Sequence, residues 1–308
     1  MRIAVMGSGG VGGYFGARLV KGGADVVFIA RGAHLAAMRQ HGLRIENDSE
    51  PIELPKIDVT DDASRIGRVD LILFAVKLWD TEAAARSLLP AIGPDTGLIS
   101  FQNGVQKNDI LRPIIGDAAL IGGVGYVATA VSKPGVIAQI GTMQRLLFGE
   151  FDGRVSKRIE DFHQVCTAGD INAEISPDIR REIWQKFVFL VGLSGATTSM
   201  RMPLGQIRDN PLTRQFLLDL MKEALAVGRA HGIALPEDYA EQRLAFADGL
   251  PHDMIASMYH DLQAGKRLEL PWLSGGVVDL GAAVGIPTPM NRAVRDILLL
   301  HAQGRDSR

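Results

Sequence analysis

Apolar runs of strand length alternate with helix-length stretches through the first half of the chain. The segment 69–76 (VDLILFAV) is almost continuously apolar, which is typical of a parallel strand buried on both faces. Residues 11–21 are predicted to form a helix after the first strand. The predicted strands are 2–6, 25–30, 69–76 and 96–101, followed by additional, antiparallel strands near 118–129, 135–140 and 144–149. This alternation predicts right-handed crossovers and a doubly wound parallel sheet.

The pattern changes after residue 177, where helix-length segments follow one another with few strand signals. Prolines separate these segments. The predicted helices are 180–200, 211–231, 236–250, 273–284 and 290–302. We therefore expect an α/β Rossmann-type domain with a doubly wound parallel sheet at 1–174, followed by a mainly α-helical domain at 175–308.

Composition and charge narrow the range of partners. With 46% apolar and 22% charged residues in 308, the chain resembles an ordinary globular protein. A net charge of −2, with both signs scattered, predicts neither a nucleic-acid nor a membrane partner. No signal-peptide core follows Met1, and no apolar run reaches the ~20 residues of a membrane span. The single cysteine, Cys166, is interpreted as a buried structural thiol in a reducing compartment, and we expect a cytoplasmic protein.

A glycine-rich motif follows the first predicted strand and opens the first predicted helix. Gly7 permits a tight turn, Gly9 lets a pyrophosphate approach the main chain, and Gly12 lets helix and strand pack closely. A GxGxxG pattern alone could be an ordinary glycine loop, but the strand–turn–helix context predicts a dinucleotide site. The predicted cofactor-binding residues of the motif are Gly7, Ser8, Gly9, Gly10, Val11 and Gly12.

The end of the second strand indicates which dinucleotide binds. NAD sites usually carry Asp or Glu there, whereas this strand ends in Arg31, and Asp25 lies at its opposite end. A guanidinium can bind a 2′-phosphate through charge-assisted hydrogen bonds, so NADPH is predicted over NADH. The alternative is that Arg31 is simply a surface arginine.

Two further polar residues follow predicted strands, at the edge where doubly wound sheets bind ligands. Lys77 follows 69–76, and Asn103 follows 96–101. Lys77 could equally be solvated, and Asn103 could belong to a turn with Gly104.

These motifs and several in the helical half recur, in this order, in ketopantoate reductases, and the resemblance covers nearly the whole chain. In the first half the shared features are the glycine loop, Arg31, Lys77 and Gln102-Asn103-Gly104. In the second half they are Trp184-Gln185-Lys186-Phe187, Ser257-Met258 with Asp261 and Glu269, and Gly285-Ile286-Pro287-Thr288-Pro289 with Asn291-Arg292.

The resemblance implies a role for each matching residue. Lys186 would be the general acid, and Glu269 would position that lysine or a substrate hydroxyl. Ser257 would hold the substrate carboxylate and Asn103 would contact substrate or nicotinamide, while Lys77 would lie near the cofactor. The substrate would be a small 2-oxo acid bound in a cleft between the domains.

Three positions depart from the family pattern. Family members often carry asparagines four and eight residues after the lysine, where this chain has Leu190 and Ser194. Met254 replaces a further polar residue found in some members. Ser194 is kept as a candidate substrate-binding residue, but the substrate is less certain than the reaction type, since lost polar partners relax selectivity.

The chemistry of ketone reduction suits Lys186. Hydride transfer to a ketone produces an alkoxide, which needs a proton or positive charge nearby. Lys186 is the only charged residue between Trp184 and Gly195, so burial should lower its pKa, and a carboxylate such as Glu269 should oppose that shift. The alternatives are a snorkelling Lys186, a solvated Glu269 and a helix-capping Ser257.

Three functions are compatible with the sequence. The first is NADPH-dependent reduction of 2-dehydropantoate (ketopantoate) to pantoate, a step of pantothenate biosynthesis, and the second is reduction of another 2-oxo acid or ketone. The third is a non-catalytic NADP(H) sensor. No metal-ligand spacing and no GxSxG motif is present, so no metal is predicted. Helical domains of this kind sometimes pair, and a homodimer is the assembly to test.

Overall fold

The computed structural model describes residues 1–46 and 50–305 and divides into two compact units. The first unit comprises Met1–Asn103 and Lys107–Glu182, and the second comprises Gly104–Gln106 and Ile183–Arg308. The chain passes between the two units three times, and the last passage, after Glu182, falls inside a helix rather than in a linker. The predicted limits of the nucleotide and helical domains, 1–174 and 175–308, stay a prediction.

The first unit is built on a ten-stranded sheet. In chain order its strands are β1 (Arg2–Met6), β2 (Asp25–Ile29), β3 (Leu43–Glu46), β4 (Ile52–Leu54), β5 (Asp58–Thr60), β6 (Leu71–Phe74), β7 (Gly97–Ser100), β8 (Leu120–Lys133), β9 (Val136–Gly149) and β10 (Ala173–Ile175). Its helices are α1 (Gly10–Lys21), α2 (Gly32–His41), α3 (Thr81–Ser87), α4 (Lys107–Ile115) and α5 (Lys157–Ala168).

Six strands form the parallel part of the sheet, in the order β5-β2-β1-β6-β7-β8. Their order reverses between β1 and β6, which is the switch point where dinucleotides bind in Rossmann-type sheets. This arrangement confirms the predicted fold class. It also adds three short strands, β3, β4 and β5, between the predicted strands 25–30 and 69–76, so 69–76 contains the sixth strand.

The sheet is extended by a long antiparallel hairpin of β8 and β9. β3 and β10 pair parallel with β9, and β4 pairs antiparallel with β3. The two strands predicted at 135–140 and 144–149 are one continuous strand, so that prediction was wrong. The apparent break coincides with Gly141 at φ 67° and with an irregular register near Val127 and Thr129.

Both faces of the parallel sheet are covered by apolar packing. Along β1, Ile3 and Val5 belong to one core, while Ala4 and Met6 belong to the other. All four residues of β6 are buried. The continuous apolar pattern of segment 69–76 therefore has the predicted physical cause, which is burial on both faces.

The second unit is helical. Its helices are α6 (Ile179–Met200, whose first turn belongs to the first unit), α7 (Leu204–Asp209), α8 (Pro211–Ala230), α9 (Tyr239–Asp248), α10 (Ser257–Gln263), α11 (Ser274–Ala283) and α12 (Pro289–Leu298). The start of α8 shows how sequence sets these limits. Asn210 caps it by accepting hydrogen bonds from the N–H groups of Leu212 and Thr213, and Pro211 occupies the first turn. Across 1–46 and 50–305, no helix is long and apolar enough to cross a membrane.

Candidate active site

The glycine loop between β1 and α1 is shaped by close main-chain contacts. Gly7 has φ 91°, and a Cβ there would lie 2.7 Å from the main-chain nitrogen of Val76. A Cβ on Gly12 would collide with the carbonyl oxygen of Gly7 and contact Val5. Both positions therefore require glycine, for the turn and for the approach of helix to strand, as predicted.

The middle of the motif is open on one side. A Cβ on Gly9 would meet no atom within 4 Å, whereas a Cβ on Gly10 would lie 2.8 Å from the carbonyl oxygen of Thr129. α1 begins at Gly10, and no side chain caps the N–H groups of its first turn. The space above Gly9, next to a helix N-terminus, fits the approach of a phosphate group.

A histidine that the sequence reasoning missed holds this loop in place. Nδ1 of His34 accepts a hydrogen bond from the N–H of Gly135 at 3.0 Å. Nε2 therefore carries the proton and donates to the carbonyl oxygen of Ser8 at 2.8 Å. The Ser8 side chain is buried and donates to the Ile29 carbonyl oxygen at 3.0 Å. His34 lies three residues after Arg31, and no sequence motif pointed to it.

Arg31 lies at the rim of a cleft next to the glycine loop. The cleft is lined by Met6, Gly7, Ser8, Gly9, Ile29, Ala30, Arg31, His34, Val76 and Val131. The Arg31 side chain is 69% exposed, and its Nη2 lies 3.3 Å from the Asp80 carboxylate. The structure thus brings Arg31 and the glycine motif to one cleft at the switch point, with the exposed guanidinium of Arg31 at the edge of the cleft.

Lys77 and Asn103 follow neighbouring parallel strands, as predicted. Lys77 is half-buried, and its ammonium lies 5.6 Å from the centroid of the Trp79 ring. Asn103 is also half-buried. The buried side chain of Gln102 links the two loops, because its Nε2 donates to the Val76 carbonyl and to the Thr81 hydroxyl, each at 2.9 Å.

In the second unit, Lys186 on α6 interacts electrostatically with the buried carboxylate of Glu269. Lys186 is mostly buried, and Glu269 is 5% exposed. Burial lowers the pKa of the Lys186 ammonium from 10.5 to about 8, and the negative charge of Glu269 opposes this lowering. The charge of Glu269 therefore acts on Lys186, and the pKa of Lys186 changes for the predicted reason.

The other residues predicted to bind substrate occupy contrasting environments. Ser257 is exposed in the first turn of α10. Ser194 is 1% exposed, and its hydroxyl has no hydrogen-bond partner among the described residues. Leu190 and Met254, which depart from the family pattern, are both partly buried.

Two other predictions can be compared with the structure. Cys166 is buried on α5, as predicted, and burial raises the pKa of its thiol far above the usual range, which disfavours the nucleophilic thiolate. Within the described ranges, no group of three or more His, Cys, Asp or Glu residues could hold a metal ion.

The open parallel sheet with a glycine loop at its switch point, together with the helical unit, defines a Rossmann-type nucleotide-binding protein. Residues 3–153 match the family described as "Ketopantoate reductase PanE/ApbA", and residues 178–302 match its C-terminal counterpart. The chain belongs to the ketopantoate reductase family. It is therefore an oxidoreductase with a small-molecule substrate, and the family is NAD(P)-dependent.

Individual relatives align over almost the full chain. A crystal structure of a PanE/ApbA family ketopantoate reductase from Ralstonia eutropha JMP134 is 32% identical, covers 98% of each chain and has a TM-score of 0.88. The 2-dehydropantoate 2-reductase of Mesorhizobium japonicum is 29% identical, over 96% of this chain and 95% of that protein. The "uncharacterized oxidoreductase YkpB" of Bacillus subtilis is 26% identical over 96% of both chains.

Proposed function

We propose that this protein transfers a hydride from NADPH to the ketone of a small 2-oxo acid, with 2-dehydropantoate as the favoured substrate and pantoate as product. The observation that carries the proposal is the mostly buried Lys186 ammonium, with a pKa lowered to about 8, whose charge interacts with that of the buried Glu269. A proton donor with a pKa near the working pH is what ketone reduction requires. The name of the Mesorhizobium japonicum relative supports this choice of substrate.

The residues of the first unit fit a dinucleotide. The open space at Gly9 and the N-terminus of α1 would take the pyrophosphate, and Arg31 would hold the 2′-phosphate. NADPH, when bound, supplies the hydride. The work of the chain is to bind and orient the cofactor through the glycine loop, with Asn103 and Lys77 at the ends of the neighbouring strands.

The residues of the second unit fit the proton transfer. As hydride reaches the carbonyl carbon, charge grows on the ketone oxygen, and Lys186 Nζ would donate its proton there. Glu269 would keep the lysine charged enough to act, because its negative charge stabilises the ammonium against desolvation. Ser257 would contact the substrate carboxylate, and Ser194 is a further candidate for binding the substrate.

A substrate panel tests the proposal. Purified protein is assayed with NADPH and a set of 2-oxo acids, including 2-dehydropantoate and its analogue without the hydroxyl group, by loss of nicotinamide absorbance. The proposal predicts the highest kcat/KM for 2-dehydropantoate. The apolar Leu190 and Met254 favour a second candidate, reduction of another 2-oxo acid or ketone, and a higher kcat/KM for such a compound would establish it. Absence of turnover across the panel would support an NADP(H) sensor instead.

The exposed guanidinium at the cleft gives a prediction for cofactor choice. Arg31→Ala is expected to weaken NADPH binding roughly 10- to 100-fold and to leave NADH binding within about twofold, since a charge-assisted contact to the 2′-phosphate is lost. Binding of both cofactors is measured by titration. The matched control is Arg39→Ala, which removes an exposed arginine of α2 that pairs with Asp61 and should change neither affinity. Equal losses for both cofactors would show that Arg31 does not recognise the phosphate.

The pKa of Lys186 predicts the pH dependence of the reaction. Ketone reduction uses the protonated lysine, so kcat/KM, which reports the pKa values of the free enzyme, should be constant below the pKa and fall as pH rises through about 8. Removing the carboxylate with Glu269→Gln leaves burial unopposed, so the pKa of Lys186 should fall further and the decline should begin at lower pH. The measurement is kcat/KM against pH for both proteins. A decline that stays in place or moves to higher pH in Glu269→Gln would contradict the assignment.

A further inference from the structure

A buried ammonium in the first unit lies outside the groups that the proposed reaction uses. Lys107, the first residue of α4, is 2% exposed. Its Nζ donates to three main-chain carbonyl oxygens: Ser100 at 2.8 Å, Gln102 at 2.8 Å and Gly123 at 2.7 Å. Three N–H donors are available only on the charged form of lysine, so these bonds hold an ammonium rather than a neutral amine.

The three carbonyls lie at the end of β7, just beyond that end, and on the neighbouring strand β8. Ser100 is the last residue of β7, and Gln102 lies two residues beyond it. Gly123 lies in β8, which pairs parallel with β7. Lys107 therefore connects the end of β7, and the main chain immediately before Asn103, to the neighbouring strand.

The Gln102 side chain connects these two strands to the chain that follows a third strand, β6. Its Oε1 accepts from the Ser100 hydroxyl at 3.0 Å, and its Nε2 donates to the carbonyl oxygen of Val76, the residue before Lys77. Lys107 fixes the carbonyl of the same glutamine. The main chain that presents Asn103 and the main chain that presents Lys77 are thus parts of one hydrogen-bonded arrangement.

We propose that Lys107 is a positioning residue for the nicotinamide half of the cofactor site. Resting on the proposed function, it sets the main chain before Asn103 and, through Gln102, the main chain before Lys77. The placement follows from the topology: Arg31 follows β2, on one side of the switch point, so the other half of a bound dinucleotide extends toward the ends of β6 and β7.

A requirement for packing alone does not explain a lysine here. Desolvating an ammonium is costly, and an apolar side chain of similar length would fill the same space without that cost. What the ammonium adds is a fixed direction for three carbonyl groups. A misplacement of about 1 Å in a group that contacts the reacting centre can lower a rate by roughly 100-fold, which makes such fixing useful.

The test compares Lys107→Met with a matched control, Arg18→Met, in the full-length protein. Arg18 is also buried and also donates to main-chain carbonyls, those of Gly169 and Asp170, at the far end of α1. Three quantities are measured: kcat with NADPH, the Kd of NADPH, and the Kd of 2′-phospho-ADP-ribose, which lacks nicotinamide. Unfolding transitions show how much each substitution destabilises the protein.

We expect Lys107→Met to lower kcat roughly 10- to 100-fold and to weaken NADPH while leaving 2′-phospho-ADP-ribose binding unchanged. Arg18→Met should destabilise the protein without lowering kcat. In a background that carries both Asn103→Ala and Lys77→Ala, Lys107→Met should lower kcat by no more than about twofold, because both side chains that it positions are then absent. If Lys107→Met does not fold, Lys107→Gln, which retains two donors, takes its place with a smaller expected loss.

Several results would overturn the proposal. These are a kcat equal to that of the wild type, an additive loss in the Asn103→Ala, Lys77→Ala background, or an equal loss of affinity for 2′-phospho-ADP-ribose. Failure of the proposed reaction is distinguishable, because it appears as wild-type protein that turns over no 2-oxo acid. In that event the test of Lys107 is the ratio of the Kd of NADPH to the Kd of 2′-phospho-ADP-ribose. A ratio that changes in Lys107→Met supports the positioning role, and an unchanged ratio contradicts it.

Discussion

Replacing Lys186 by methionine is expected to lower kcat by roughly 10²–10⁴-fold while NADPH still binds with nearly wild-type affinity. Methionine keeps most of the side-chain volume and removes the proton donor, so the loss should lie in the chemical step. The nucleotide motif belongs to the first unit and Lys186 to the second, which is why binding and catalysis should separate. Turnover with 2-dehydropantoate and titration with NADPH measure the two effects.

A suitable control for this substitution is Lys222→Met. Lys222 lies on α8 in the same unit, is 46% exposed and pairs with Glu241, so its removal should leave turnover unchanged. If Lys186→Met retained wild-type kcat, Lys186 would be a packing residue and the proposed mechanism would be wrong. A loss of NADPH binding equal to the loss of kcat would point to general damage rather than to a missing proton.

The second large effect is expected at Gly12. Gly12→Ala should destabilise the first unit by roughly 1–3 kcal/mol and abolish nucleotide binding, because its Cβ would collide with the carbonyl oxygen of Gly7. Main-chain atoms cannot rotate away as a flexible side chain can. The loop and α1 would have to separate, which would disturb the surface that faces the pyrophosphate.

Gly9→Ala provides the contrast. No atom lies within 4 Å of a Cβ at this position, so the variant should unfold at the wild-type temperature. It should nevertheless bind NADPH poorly, because the new methyl group occupies the space that the phosphates need. Thermal unfolding and cofactor titration of both variants test this. Gly9→Ala with unchanged NADPH affinity would mean that the pyrophosphate does not approach the loop there.

Much of the fold could be predicted because its strongest signals are periodic and long. The burial of β6 on both faces and the lengths of α6 and α8 follow directly from apolar pattern and from proline and asparagine at helix starts. The short strands β4 and β5 have three residues each, too few to show a period. The predicted break between 140 and 144 contains Gly141, which has a positive φ in the structure but lies inside β9, since glycine occurs both in turns and in irregular strands.

The site could be predicted only where one residue type stands out from its surroundings. Lys186 was identifiable because it is a lone charge in an apolar segment, and the structure accounts for its pKa in the expected way. Lys107 follows a polar loop, and this pattern predicts a surface lysine. Nothing local indicates that carbonyls from Ser100, Gln102 and Gly123 converge on it, since the third belongs to another strand.

The division of the chain has a consequence for how such enzymes diversify. The atoms that shape the glycine loop, from the Ile29 carbonyl to the imidazole of His34, all come from the first unit, whereas Leu190, Ser194 and Met254 belong to the second. Under the proposed function, a few substitutions on α6 and before α10 would change the choice of oxo acid while the nucleotide site in the first unit is retained. Such a lineage would acquire a new metabolic role and keep its ancestral cofactor.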